Sequence, residues 1–187
     1  MPRLHVCARS RYASGYAVPQ DPAIGTPAPR RLAVAIATAG GAGYAPVAPG
    51  TAGALVGVAL YALLAPLGAV VVVVVACVLL AVGIAASNVA EHVYGHADDG
   101  RIVIDEVVGQ LLALAPLPAL AAEPRNPWLL LAGFLAFRLF DIWKPGPVRW
   151  AERNLKGGAG VMFDDVLAGL LAGACVAGLA AFTEGHA

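Results

Sequence analysis

Residues 68–90 carry no charged side chain and include an unbroken run of valine from Val70 to Val75. An apolar segment of about 20 residues or more is long enough to cross the hydrocarbon core of a bilayer as a helix. No other feature constrains the fold as tightly. Valine favours strands, yet an open strand in lipid leaves its N–H and C=O groups without partners, so the segment must be helical. Residues 51–66 form the preceding arm of an apolar hairpin, broken near Pro66 and Gly68. Composition agrees: 59% of the 187 residues are hydrophobic and 13% charged, with a mean hydropathy of +0.76. Those values lie outside the range of ordinary soluble domains and define a membrane protein.

Three further apolar segments follow, at Ile102–Leu120, at 127–140 and at about 161–182. With the hairpin they predict an all-α integral membrane bundle of about five spanning helices plus short interfacial ones. Trp128 and Trp143 bracket the fourth segment as interfacial anchors would. The run Leu32–Ala37 is too short to span and reads as a half-helix or interfacial helix, and Trp150–Lys156 as a short surface helix. Residues 1–29, with Arg3, Arg9, Arg11 and five prolines, read as a disordered basic extension ahead of one membrane domain over 30–187. They lack the apolar core of a signal peptide. Between these regions, Gly40–Gly53 reads as a glycine-rich loop turning into a helix, with Thr51 as its N-cap; a helix start of this kind suits an anion, or serves simply as a membrane turn.

Twelve basic and twelve acidic residues cancel, so net charge indicates no nucleic-acid partner. Their placement is informative instead. The N-terminal arm and the loops 91–102 and 141–160 hold nearly every Lys and Arg, while the other side shows Arg125 alone. The positive-inside rule makes the charged face cytoplasmic and, with five spans, puts the C-terminus outside. Cys7, Cys77 and Cys175 are too scattered for a disulfide framework or a zinc pattern.

Ionised groups in or beside hydrocarbon need a partner or a task. Asp105-Glu106 opens one apolar segment and Asp164-Asp165 another, while Arg138, Asp141, Lys144 and Arg149 crowd the end of a third. Asp105 shares a helix face with Gly109, and Glu106 the adjacent face with Gln110. Paired carboxylates repel unless a cation sits between them. With no cysteine among them and only His92 and His96 nearby, a hard cation such as Mg2+ suits better than zinc. Arginine and lysine on the same side suit phosphate oxygens. Metal-held carboxylates beside such bases describe phosphoryl transfer or phosphate-ester hydrolysis. Other phosphatase chemistries lack their residues: no cysteine has arginine six positions on, and there is no Asp-x-Asp and no Pro-Ser-Gly-His. Each charged pair taken alone would also serve as an ion pair between helices, and Glu91, Asp98 and Asp99 fit a solvated loop as well as a ligand set.

Four motifs in order then carry a family resemblance: Gly43–Pro46 with Ala48–Gly53, Ile104–Gln110, Phe137–Arg149 and Gly157–Gly169. Over about residues 38–182 the chain resembles phosphatidylglycerophosphatase A, the membrane phosphatase of bacterial phosphatidylglycerol synthesis. The resemblance implies an all-helical core at the cytoplasmic (inner) membrane and Mg2+-dependent hydrolysis of phosphatidylglycerophosphate, a phospholipid substrate, to phosphatidylglycerol and phosphate. Asp105, Glu106, Asp141, Asp164 and Asp165 fall on the family's acidic positions, and Lys144 and Arg149 on its basic ones. The expectation is that Asp105, Glu106, Asp164 and Asp165 hold Mg2+ and that Asp141 completes that shell or orients the attacking water. Lys144, Arg149 and Arg138 then receive the phosphate. The competing reading is a small transporter or channel whose acids carry protons or cations. Transport sites tend toward the middle of the membrane, whereas these acids begin their helices near one surface.

Overall fold

The computed structural model describes residues 27–120 and 123–185. The expected basic extension lies outside the described residues as far as residue 26, as do Cys7, His5 and His186. All regular structure among the described residues is helical: α1 (Pro27–Ala37), α2 (Pro49–Leu64), α3 (Ala69–Tyr94), α4 (Ile104–Leu114), α5 (Leu117–Leu120), α6 (Pro127–Trp143), α7 (Gly146–Asn154) and α8 (Gly157–Glu184). Three stretches are long and apolar enough to cross a membrane, Pro49–Leu67, Ala69–Tyr94 and Gly157–Thr183.

The expected count of about five spans is therefore not confirmed: the segment expected at 127–140 forms α6, of 17 residues, and is not among the three, and the loss of the other has a physical cause. The segment expected over Ile102–Leu120 breaks after Leu114, ahead of Pro116, where proline cannot continue the helical hydrogen bonding. What remains, α4, is 11 residues, or about 16 Å at 1.5 Å per residue. It is short because it is an inner helix: nearly all its residues are buried, polar Asp105 and Gln110 included, enclosed by α2, α3, α6 and α8. The α2–α3 pair is accordingly not a packed hairpin. Its arms barely touch, and each packs against α4.

Local signals set the helix ends. Pro49 and Pro127 occupy first-turn positions, where a missing N–H costs nothing. Asn126 caps α6 by accepting from the N–H of Trp128 at 2.9 Å. Gly95 ends α3 in the left-handed conformation, φ 74°, its N–H donating to the Glu91 carbonyl at 2.8 Å. Two expectations shift here: the cap of α2 is Ala48, with Thr51 inside the helix, and the glycines at 157–160 open α8 and are not a loop. The Gly158 N–H donates to Asn88 Oδ1 at 2.8 Å. A Cβ on Gly158 would run into the Ile84 carbonyl, so the bare backbone is what lets α8 start against α3.

At the end remote from the charges, Tyr61, Val72, Ala76, Leu111, Leu114, Leu117 and Val176 form an apolar core. Tyr61 donates its hydroxyl to the Pro124 carbonyl at 2.9 Å. Outward-facing Val70, Val73, Val74, Val78, Leu135 and Leu170 are exposed, as a lipid-facing surface requires. Lipid offers no hydrophobic drive between helices, so cohesion rests on close contact through small residues.

Candidate active site

That close contact builds the site. The most extensive helix pair is α4 with α8, and it meets through two glycines. A Cβ on Gly169 would strike the Gly109 carbonyl oxygen and lie 3.0 Å from its Cα, and one on Gly109 would lie 2.7 Å from the Asp165 carbonyl. Four residues before each glycine, one turn toward the charged end, stand Asp105 and Asp165. The crossing thus drives two acids together. A ligand oxygen from each of Asp105, Glu106 and Asp165 can be chosen so that all lie within 4.8 Å of one another. Asp165 is 3% exposed and Asp105 9%.

Glu106 Oε2 and Asp165 Oδ2 are buried without a hydrogen-bond partner. Clustered anionic oxygens in a buried setting repel and lack solvation, a state relieved by a cation between them. The donors are oxygen only, with neither cysteine nor histidine, and fit a hard divalent cation.

Cations flank the cluster. Arg138 Nη1, near the end of α6, lies 2.7 Å from Asp141 Oδ2 and 3.9 Å from Glu106 Oε1. These are contacts of charge, and the buried Nη1 makes no hydrogen bond of acceptable angle. Lys144 caps α6 with φ 48°, and its ammonium donates to Glu152 Oε1 at 2.8 Å and Asp164 Oδ2 at 3.0 Å. Burial weakens its proton affinity, but the two carboxylates more than offset this and hold its pKa above the ordinary lysine value. Asp164 thereby faces Lys144 and stands apart from the three-carboxylate cluster. Arg149 is exposed on α7, and among the described residues it pairs with none of these acids.

The glycine-rich segment reaches the same place. A Cβ on Gly50, in the first turn of α2, would strike Glu106 Oε1 and lie 3.2 Å from Arg138 Nη1. The obstacle is the tip of a mobile side chain, so Gly50→Ala should fold normally while pushing the Glu106 carboxylate aside. We expect activity on the order of 10- to 100-fold lower, since displacements near 1 Å cost that much, with an unchanged melting midpoint in micelles.

Glu91, Asp98 and Asp99 serve the neighbouring loop. Glu91 Oε1 accepts from the Asp98 N–H at 2.8 Å. Asp99 pairs with Arg101 at 2.7 Å, whose hydrogen bond holds the Asp99 carboxyl below its usual range. Arg101 also stacks on Tyr94, 3.7 Å from the ring centroid. Glu152 is the site neighbour that sequence reading did not single out; eight residues from Lys144 and across Pro145-Gly146-Pro147, no periodicity links the two. A cleft of about 570 Å³ opens beside Asp164, with Asn88, Glu91, His92 and Lys156 among its walls.

A helical membrane bundle that gathers buried carboxylates beside arginine and lysine has the groups that a membrane enzyme for phosphate esters needs. Residues 35–180 match the family model described as Phosphatidylglycerophosphatase A, and the chain belongs to that family. It is 36% identical over 132 residues to "Phosphatidylglycerophosphatase A" of Escherichia coli, covering 70% of this chain and 73% of that one. The same-named protein of Haemophilus influenzae is 39% identical over 135 residues, 71% of this chain and 78% of the other. A Bacteroides thetaiotaomicron protein named "Putative phosphatidylinositol-3-phosphatase" is 47% identical over 148 residues, 76% of this chain and 89% of that one. No solved structure matches. The chain is accordingly a phosphatase, as its residues led us to expect, and an all-helical membrane protein.

Proposed function

We propose that this protein hydrolyses phosphatidylglycerophosphate to phosphatidylglycerol and inorganic phosphate, using Mg2+ held by Asp105, Glu106 and Asp165. The observation that carries the reading is the meeting of those three carboxylates beside the Arg138 guanidinium, which lies 3.9 Å from Glu106 Oε1 and 2.7 Å from Asp141 Oδ2. Relatives named for this substrate support it. The positive-inside rule supports a cytoplasmic face for the charged end, with the acyl chains in the inner leaflet.

The chemistry such a cation supplies when bound is polarisation of the phosphoryl group and a lowered pKa for water. The side chains do the rest. Arg138 receives the phosphate and balances charge as it develops. Asp141, held at 2.7 Å from that guanidinium, keeps it oriented and lies where it can also orient the attacking water. Lys144, steadied by Asp164 and Glu152, is the second phosphate cation. Arg149 serves further out, on exposed α7, as an attracting charge. Water's oxygen bonds to phosphorus, the P–O bond to glycerol breaks, and a proton from the water ends on the departing glycerol hydroxyl.

The Bacteroides relative favours a second substrate, a phosphoinositide carrying a 3-phosphate. Purified protein in micelles decides between them by phosphate release from each lipid and from a water-soluble aryl phosphate, with and without chelator. We expect release from phosphatidylglycerophosphate at least about tenfold faster than from the aryl ester, because binding of the remote lipid contributes to catalysis. Chelation should abolish it and Mg2+ restore it. Preference for the phosphoinositide would replace the substrate, and indifference to chelation would remove the metal.

A further inference from the structure

Gln110 has no exposed surface, and neither its Nε2 nor its Oε1 has a hydrogen-bond partner. A buried amide left unpaired is costly in any protein interior, and more so where lipid surrounds the bundle. Packing alone gives no reason for it: an apolar side chain of the same length would fill the position without the amide.

Its surroundings are arranged for it. Gln110 stands one helical turn after Glu106 on α4, so the two share a face, and Glu106 Oε2 is itself buried and unpartnered. Opposite them on α2 stand two glycines in the same register. A Cβ on Gly53 would come within 3.3 Å of Glu106 Cβ, and one on Gly57 within 2.7 Å of Gln110 Cβ and 3.1 Å of its Cγ. The helix facing α4 is thus bare at the two levels where these polar side chains stand. An amide donor and a carboxylate acceptor, both unused, lie on adjacent turns behind the carboxylate cluster.

We propose that Gln110 is a positioning residue: with a cation bound, its amide donates to Glu106 Oε2 through one buried water, and fixes the orientation in which Glu106 faces Asp105 and Asp165. The inference rests on the reading of those three acids as the site of a divalent cation. It adds a residue behind the ligands, of the kind that orients a ligand without touching the cation.

The test uses the full chain in micelles and Gln110→Met, which keeps the shape and removes the amide. Three quantities are read: the melting midpoint in chelator, the Mg2+ concentration giving half of the cation-induced rise in that midpoint, and kcat and KM separately. We expect the midpoint in chelator to stay level or rise, because an unpaired amide has been removed. The half-effective Mg2+ concentration should increase and kcat fall, each about 10- to 100-fold as for other groups that orient metal ligands, with KM nearly constant. Gln110→Asn, which keeps an amide one methylene short, should recover part of both losses, and Gln110→Leu takes the place of the methionine variant if that one does not fold.

Mg2+ affinity and kcat within about twofold of wild type in Gln110→Met would overturn the proposal, a change too small for an orienting group. A lowered midpoint in chelator, with activity falling only as the folded fraction falls, would overturn it too and assign Gln110 to packing. Wild-type protein that releases no phosphate from any lipid phosphate would sink the function proposed above, and the Mg2+ titration would still decide the role of Gln110.

Discussion

Asp165→Asn should leave the bundle assembled and reduce phosphate release by at least about a hundredfold, the scale on which removal of one preorganised electrostatic partner is felt. Asparagine nearly preserves the shape of a side chain that is 3% exposed, so packing against α4 should survive. The carboxylate lost is one of the three whose oxygens gather within 4.8 Å, and its Oδ2 has no protein partner to leave stranded. Removing one of several crowded anions relieves repulsion when no cation is bound. The melting midpoint in chelator should therefore hold or rise, while its increase on adding Mg2+ shrinks. A folded Asp165→Asn protein with wild-type activity would refute the place of this residue in the site.

Bulk at the α4–α8 crossing should be nearly as damaging without touching a charged group. Valine at Gly169 would direct its Cβ into the backbone of Gly109, and backbone cannot swing aside as a side-chain tip can. The helices must part, at an overpacking cost of about 1–3 kcal/mol. Because Asp105 and Asp165 stand one turn from that contact, the separation passes to the carboxylates. Activity should fall on the order of a hundredfold, as misplacement near 1 Å does. Gly178, whose added Cβ meets nothing within 4 Å, is the control on the same helix: Gly178→Val should change activity little. Equal losses at both positions would show that the crossing does not position the acids.

The charged end was legible in the sequence because hydrocarbon makes ionisable residues conspicuous. Asp105 and Glu106 open α4, Asp164 and Asp165 stand about two turns into α8, and Asp141 and Lys144 close α6. The division of labour between Asp164 and Asp165 was not legible. Neighbours on a helix point about 100° apart, and only the glycine crossing decides which of the two faces α4 and which meets Lys144. The outward setting of Arg149 follows from α7 burying Val148 and Ala151, a spacing of three visible in the sequence but masked by the charges around it. That the count of about five spans is not confirmed has a related reason at one segment: hydropathy does not distinguish a helix sheathed by protein from one bathed in lipid, and α4 is the former.

Lys144 occupies the left-handed backbone region at φ 48°, where glycine would sit more comfortably and most other residues incur roughly 1 kcal/mol or more. Relief of that strain and loss of the ammonium are therefore opposed at a single position. On the function proposed above, glycine there would relax the corner and remove the ammonium that Glu152 and Asp164 hold toward the phosphate.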